Sequence, residues 1–206
     1  MNSEAPESSG AELSREQRIQ VRLGAAVVLS NGEELRRLRA ASQPNRAWRE
    51  VLLQATLFAG FPRVIDAFDV LLDCGGLGAA EEEEACTGED NHLAGRELFG
   101  SIYGQGSDRV REHLQVLHPQ LAHWIEGHAY GRVLAREGLS ASDRELVAVA
   151  MLTVSGLERQ LASHARGAVR LGASAGQTLA VVEAVADLAD PDLIERARAV
   201  VRSFAR

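Results

Sequence analysis

Between residues 16 and 204 one signal recurs: apolar residues three and four apart, interrupted by Gly, Pro and polar caps. No alternating stretch long enough for a strand accompanies it. That combination predicts an all-α fold. The first helix is read over 16–29, with Ile19, Leu23, Ala26 and Val27 at core spacing, until Asn31-Gly32 stops it. A short helix over 33–41 ends before Pro44. Over 46–59, Val51, Leu52, Ala55 and Phe58 share an inner face, and Gly60 is a natural stop. Pro62 then opens a further helix through Ile65, Phe68 and Leu72.

Later helices are read over 93–102, 108–117, 120–135, 143–154, 157–171, 176–188 and 192–204. Ser142 with Glu145, and Ser174 with Gln177, have the spacing of reciprocal capping boxes. Asp190-Pro191 is a cap followed by proline, and Gly172 ends the helix before it. Abundant Ala, Leu, Arg and Glu agree, because these side chains lose little freedom in a helix. A net charge of −7 argues against a nucleic-acid or anionic-membrane partner, since neither would attract it. No apolar run approaches bilayer length on this reading. Met1 to Gly10 lacks the basic-then-apolar order of a signal peptide, so a cytoplasmic location is expected.

Composition along the chain suggests a disordered tail (1–14), a first unit (15–74), a linker (75–91) and a fuller second unit (92–206), the two units forming one compact domain. The linker holds Gly75, Gly76, Gly78 and the run Glu81 to Glu84, read as a solvated face or a short helix start. Cys74 and Cys86 are too few for a disulfide scaffold and too far apart for a redox pair, and are read as incidental. The two units align as a divergent tandem repeat. Arg18, Val21 and Leu35 fall opposite Arg144, Val147 and Leu161, and Ser30-Asn31-Gly32 falls near Ser155-Gly156.

The stretch Ala129-Tyr130-Gly131-Arg132-Val133-Leu134, then Gly138-Leu139-Ser140 and Arg144-Glu145-Leu146-Val147, resembles the carboxymuconolactone decarboxylase family. So does Gln160-Leu161-Ala162-Ser163-His164 through Gly167-Ala168 to Leu171-Gly172-Ala173. In the first unit, Gly32 to Arg36, Glu50 to Ala55 and Phe58 to Pro62 look like parts of the same pattern. The resemblance implies the alkylhydroperoxidase D-like helical fold and assembly into rings, often trimers or hexamers. It also implies one of two activities, decarboxylation of 4-carboxymuconolactone or reduction of alkyl hydroperoxides.

The peroxidase branch uses a Cys-x-x-Cys pair at a helix start, a His one turn later and a Glu on the preceding helix. The His matches His164 and the Glu matches Glu145, but the cysteine positions are Leu157 and Gln160. Thiol-based peroxidase chemistry by that route is therefore excluded. In the first unit the counterparts of Glu145 and His164 are Ile19 and Leu38, which marks that unit as a packing partner.

The candidate catalytic residues are thus His164, as general acid or base, and Glu145, which tunes its charge. Gln160, Arg159 and Tyr130 are the candidate substrate-binding residues. Each has a plainer alternative: Glu145 could cap its helix from the third position after Ser142, and His164 could simply pack. His113, His118, His123 and His128 recur every fifth residue, a step that turns successive rings away from one another. No metal site is expected from them. Tyr130 and Trp124, near Gly131, could line a pocket or pack in the core.

These readings lead to a decarboxylase or other lyase, needing no cofactor, that acts on a small carboxylated lactone or related acid. The alternative is a non-catalytic binding or assembly member of the same family. Leu52, Phe58, Phe61 and Ile65 offer apolar surface for a homo-oligomer, a trimer first and a dimer next.

Overall fold

The computed structural model describes residues 12–81, 84 and 92–203, and these contain helices and no strand. Ser14 and Gln17 form a reciprocal capping box that starts α1 (Arg15–Val28). Asn31 caps α2 (Gly32–Ala41) and Asn45 caps α3 (Arg46–Asp73). As expected, α3 breaks at Gly60, whose φ of 76° is readily adopted only without a Cβ. Next come α4 (His92–Tyr103), α5 (Ser107–Leu117) and α6 (Pro119–Trp124). The second half continues with α7 (Ala141–Ser155), α8 (Glu158–Arg170), α9 (Ala175–Ala184) and α10 (Pro191–Arg202).

Residues 120–135, expected as one α-helix, instead divide between α6 and a π-helical segment, Ile125–Leu134. Glycine explains why the wider helix fits there. A Cβ on Gly95 of α4 would lie 2.1 Å from the Glu126 carbonyl oxygen, and one on Gly127 would meet the His92 ring. The two backbones therefore approach closer than any side chain allows. Such π segments are rare and concentrate at functional sites.

At the centre α1 crosses α7. Val21, Leu23 and Val27 pack with Val147 and Met151 in one core shared by both halves of the chain. Gly24 admits Met151, whose Cε would be 2.7 Å from a Cβ there. Arg144 to Val154 of α7 are all buried, so this helix is enclosed on every side. A smaller cluster of Phe99, Ile102, Tyr130 and Leu134 joins α4 to the π segment.

One buried polar network ties the halves together. Glu50 of α3 receives hydrogen bonds from Arg136 at 2.8 Å and from Arg144 at 2.8 Å. Arg144 also donates to the carbonyls of Arg136 and Glu137, while Gln54 donates to the Arg144 carbonyl at 2.7 Å. The two guanidinium groups outweigh the cost of burial and hold the Glu50 carboxyl below its ordinary range.

Several expectations need correction. Leu13 is buried and Ser14 caps α1, so the end of the expected tail belongs to the fold; residues 1–11 lie outside the described residues. Glu84 is not a solvated acid: Arg49 grips it at 2.6 Å and draws its pKa down to about 2. Most of the acidic stretch, and Cys86, lie outside the described residues. Leu52 is fully buried and offers no surface. One helix, α3, is long and apolar enough by length and composition to span a bilayer, contrary to the reading above. A core helix passes the same test, and Val51, Leu52 and Ala55 of α3 sit in the core.

Candidate functional site

Helices α7 and α8 form a hairpin whose turn is Gly156, in the left-handed conformation at φ 67°. Ser140, not Ser142, caps α7, accepting from the Asp143 backbone N–H at 3.0 Å. The capping role read for Glu145 therefore belongs to no residue at that position. Glu145 points inward and is 1% exposed. Its Oε2 lies 2.9 Å from Nδ1 of His164, two turns into α8 and 12% exposed.

Burial alone would lower the histidine pKa. The Glu145 charge and the hydrogen bond outweigh it, so the His164 pKa is raised above its ordinary 6.5. With Nδ1 engaged by the carboxylate, Nε2 is the ring nitrogen left for a ligand. Phe58 of α3 fixes the ring edge-on, with centroids 5.9 Å apart. A side chain on Gly167 would strike Glu145 Oε2 at 2.5 Å, so the glycine makes room for the acid.

His164 opens onto a cavity of about 660 Å³. Gln160, Arg159 and Ser163 share its α8 wall, and Tyr130 lines the side formed by the π segment. The structure therefore gathers His164, Gln160, Arg159 and Tyr130 around one space, with Glu145 directly behind His164. The Tyr130 hydroxyl donates to that of Tyr103 at 3.1 Å, and burial raises both phenols above their ordinary pKa. Both stay neutral near pH 7 and can act as hydrogen-bond donors.

Three features escape sequence reading. Leu57 and Phe58, from the half taken as a packing partner, form part of the cavity wall. Tyr103 enters from α4, and Arg109 and His113 enter from α5. His113, one of the four evenly spaced histidines, lies 3.3 Å from Arg159, whose Nη2 can only donate to its Nε2. The other three diverge: His118 caps α6, His123 stacks against His92 at 4.3 Å, and His128 is exposed. Among the described residues no group of three or more His, Cys, Asp or Glu could hold a metal. Trp124 lines neither pocket nor core, being 60% exposed.

Leu157 and Gln160, at the start of α8, confirm that no thiol stands one turn before His164. Cys74 is free at the C-terminal cap of α3.

Comparison with known proteins agrees with this geometry. The chain is 29% identical over 153 residues to peroxisomal protein 2 of Saccharomyces cerevisiae, covering 61% of this chain and 54% of that relative. It is 28% identical over 134 residues to peroxisomal protein 2 of Schizosaccharomyces pombe, covering 64% and 63%. The chain thus spans less than two thirds of either relative. Residues 119–203, which include the π segment, the Glu145–His164 pair and the cavity wall of α8, match the carboxymuconolactone decarboxylase family.

Proposed function

We propose that this protein is a decarboxylase-type lyase that uses its own side chains alone and acts on a carboxylated lactone or a related acid. One observation carries the reading: a buried carboxylate holds Nδ1 of a histidine that lines a ligand-sized cavity. In the reaction the bond between the substrate carbon and its carboxylate breaks, and carbon dioxide leaves. The electron pair passes into a conjugated carbonyl, whose oxygen accepts a hydrogen bond from the Gln160 amide or the Arg159 guanidinium. The protonated His164 ring then delivers its Nε2 proton to carbon and regains one from water. Glu145 orients the ring throughout and favours its charged form before and after the proton is passed.

The test is carbon dioxide release from carboxylated lactones by the pure protein and by His164→Gln. The expected loss is roughly 10²–10⁴-fold. An unchanged rate would remove His164 from the chemistry. A second reading, ligand binding without turnover, is supported by Ile19 and Leu38, the apolar residues that the tandem-unit reading sets opposite Glu145 and His164. Saturable binding by wild type without product would select it.

The same proposal includes two tandem units and a ring. The α1–α2 and α7–α8 hairpins share a displacement, and Gln17 bonds Asp143, 126 residues later, at the same place in the second hairpin. Phe61, Ile65 and Leu72 line the second half of α3 at 66%, 57% and 69% exposure, a stripe that a trimer would cover. Light scattering is expected to give three times 22.2 kDa, and a 22.2 kDa monomer would reject the ring. The relatives are named for the peroxisome. A fluorescent fusion distinguishes that compartment from the cytoplasm suggested by the N-terminal residues.

A further inference from the structure

The cavity is larger and more apolar than a one-ring carboxylated lactone requires. Its volume of about 660 Å³ lies in the middle of the ~300–1,000 Å³ range that encloses drug-sized ligands. Leu57 and Phe58 of α3, Val110 and Leu114 of α5, and Ile125 and Leu134 of the π segment form its walls. Among the described residues its ionisable chains other than the tyrosines are two arginines and two histidines, and no carboxylate lines it.

The basic side chains cluster. Arg109 and His113 stand one turn apart on α5, and Arg159 reaches across from α8 to His113. Among the described residues Arg109 has no ionic or hydrogen-bonded partner, and Arg159 has only the imidazole. The better-buried arginines behave otherwise: Arg22, Arg49, Arg136 and Arg144 each hold a carboxylate. An apolar chamber with unneutralised guanidinium groups on one rim is the complement of an amphipathic anion.

We propose that the ligand is an amphipathic monocarboxylate, with its carboxylate against Arg109 and Arg159 and a long apolar body inside the chamber. This rests on reading the cavity as the ligand site, and it requires no turnover. Arginine suits the head group because its planar fork donates two parallel hydrogen bonds to a carboxylate. The apolar body contributes through the surface it removes from water.

Calorimetric titration with dodecanoate, below its aggregation threshold, tests the proposal. One saturable site is expected, with weaker binding of dodecanol and weaker still of dodecyltrimethylammonium. The double variant Arg109→Gln, Arg159→Gln should lose roughly ten- to hundredfold in dodecanoate affinity and none in dodecanol affinity. Val110→Trp and, separately, Leu114→Trp should each fill the chamber and abolish binding of both. Equal affinity for acid and alcohol, or indifference to the arginine pair, would overturn the head-group assignment. Absence of any binding, or binding that survives both Trp variants, would overturn the proposal entirely. Turnover by His164→Gln reads the catalytic proposal, and dodecanoate affinity of wild type and the Trp variants reads this one, so each can fail without the other.

Discussion

The α1–α2 hairpin carries Ile19 and Leu38, and the α7–α8 hairpin carries Glu145 and His164, each 126 residues further along the chain. Leu38 is buried and Ile19 packs against the main core, so the first hairpin closes on itself with apolar contacts. The second hairpin instead buries an acid against a histidine and has a cavity beside them. Arg18 and Arg144 differ in the same sense. Arg18 is solvated, whereas Arg144 is buried against Glu50. Glu34, the buried acid of α2, is held by Arg22 and Arg37. The two hairpins thus carry different burdens: one pairs its buried acid with arginines, and the other pairs its buried acid with a histidine beside a cavity.

The strongest way to break this comparison is to make the second hairpin like the first. The double variant Glu145→Ile, His164→Leu is expected to lose turnover roughly 10²–10⁴-fold while remaining folded. Retained carbon dioxide release by this variant would show that the pair is not the difference that matters. Its stability, read by urea unfolding, should equal wild type or exceed it by about 1–4 kcal/mol, because a buried ion pair is replaced by packed apolar groups. The single variant Glu145→Ile leaves a partnerless histidine and should be the less stable of the two.

Next in size is Glu50→Ala, which strands Arg144 at 2% side-chain exposure. About 3–5 kcal/mol of stability should be lost. A loss as small as that of an exposed ion pair would mean that the network does not lock the halves together.

The smallest effect concerns pH. Because the His164 pKa is raised in the fold, the pair's stabilisation is fully present below the unfolded value near 6.5. It is lost as pH rises through the raised folded value. Activity that needs the imidazolium should fall over the same alkaline window. Glu145→Gln removes the charge that raises the pKa and leaves the burial that lowers it, so the alkaline limb should move to lower pH. An unmoved limb would dissociate Glu145 from the titration.

Much of this was legible in advance for a local reason. Caps, glycine stops and 3.6-residue spacing act within a few residues, so the elements, the Gly60 break and the Ser174–Gln177 box could be read directly. The His164 and Glu145 positions were legible only through the family pattern. Errors arose where a local rule met a tertiary competitor. Ser142 and Glu145 have capping-box spacing, yet Ser140 caps the helix two residues earlier and frees the acid to turn inward. Glu84 lies in an acidic run that reads as solvent-facing, but Arg49 on a distant helix recruits it.

The sequence by itself determined an all-α chain and the absence of thiols at Leu157 and Gln160, before His164. Each follows from residue type and nearby spacing. Only the tertiary structure decided that residues 125–134 widen into a π-helix, because that depends on Gly95 approaching from α4. It also decided that Phe58, Tyr130, Arg109 and His164, drawn from four elements, surround one cavity. No periodicity along a chain encodes which faces of separate helices will meet. Packing chooses among them by the apolar surface they bury together.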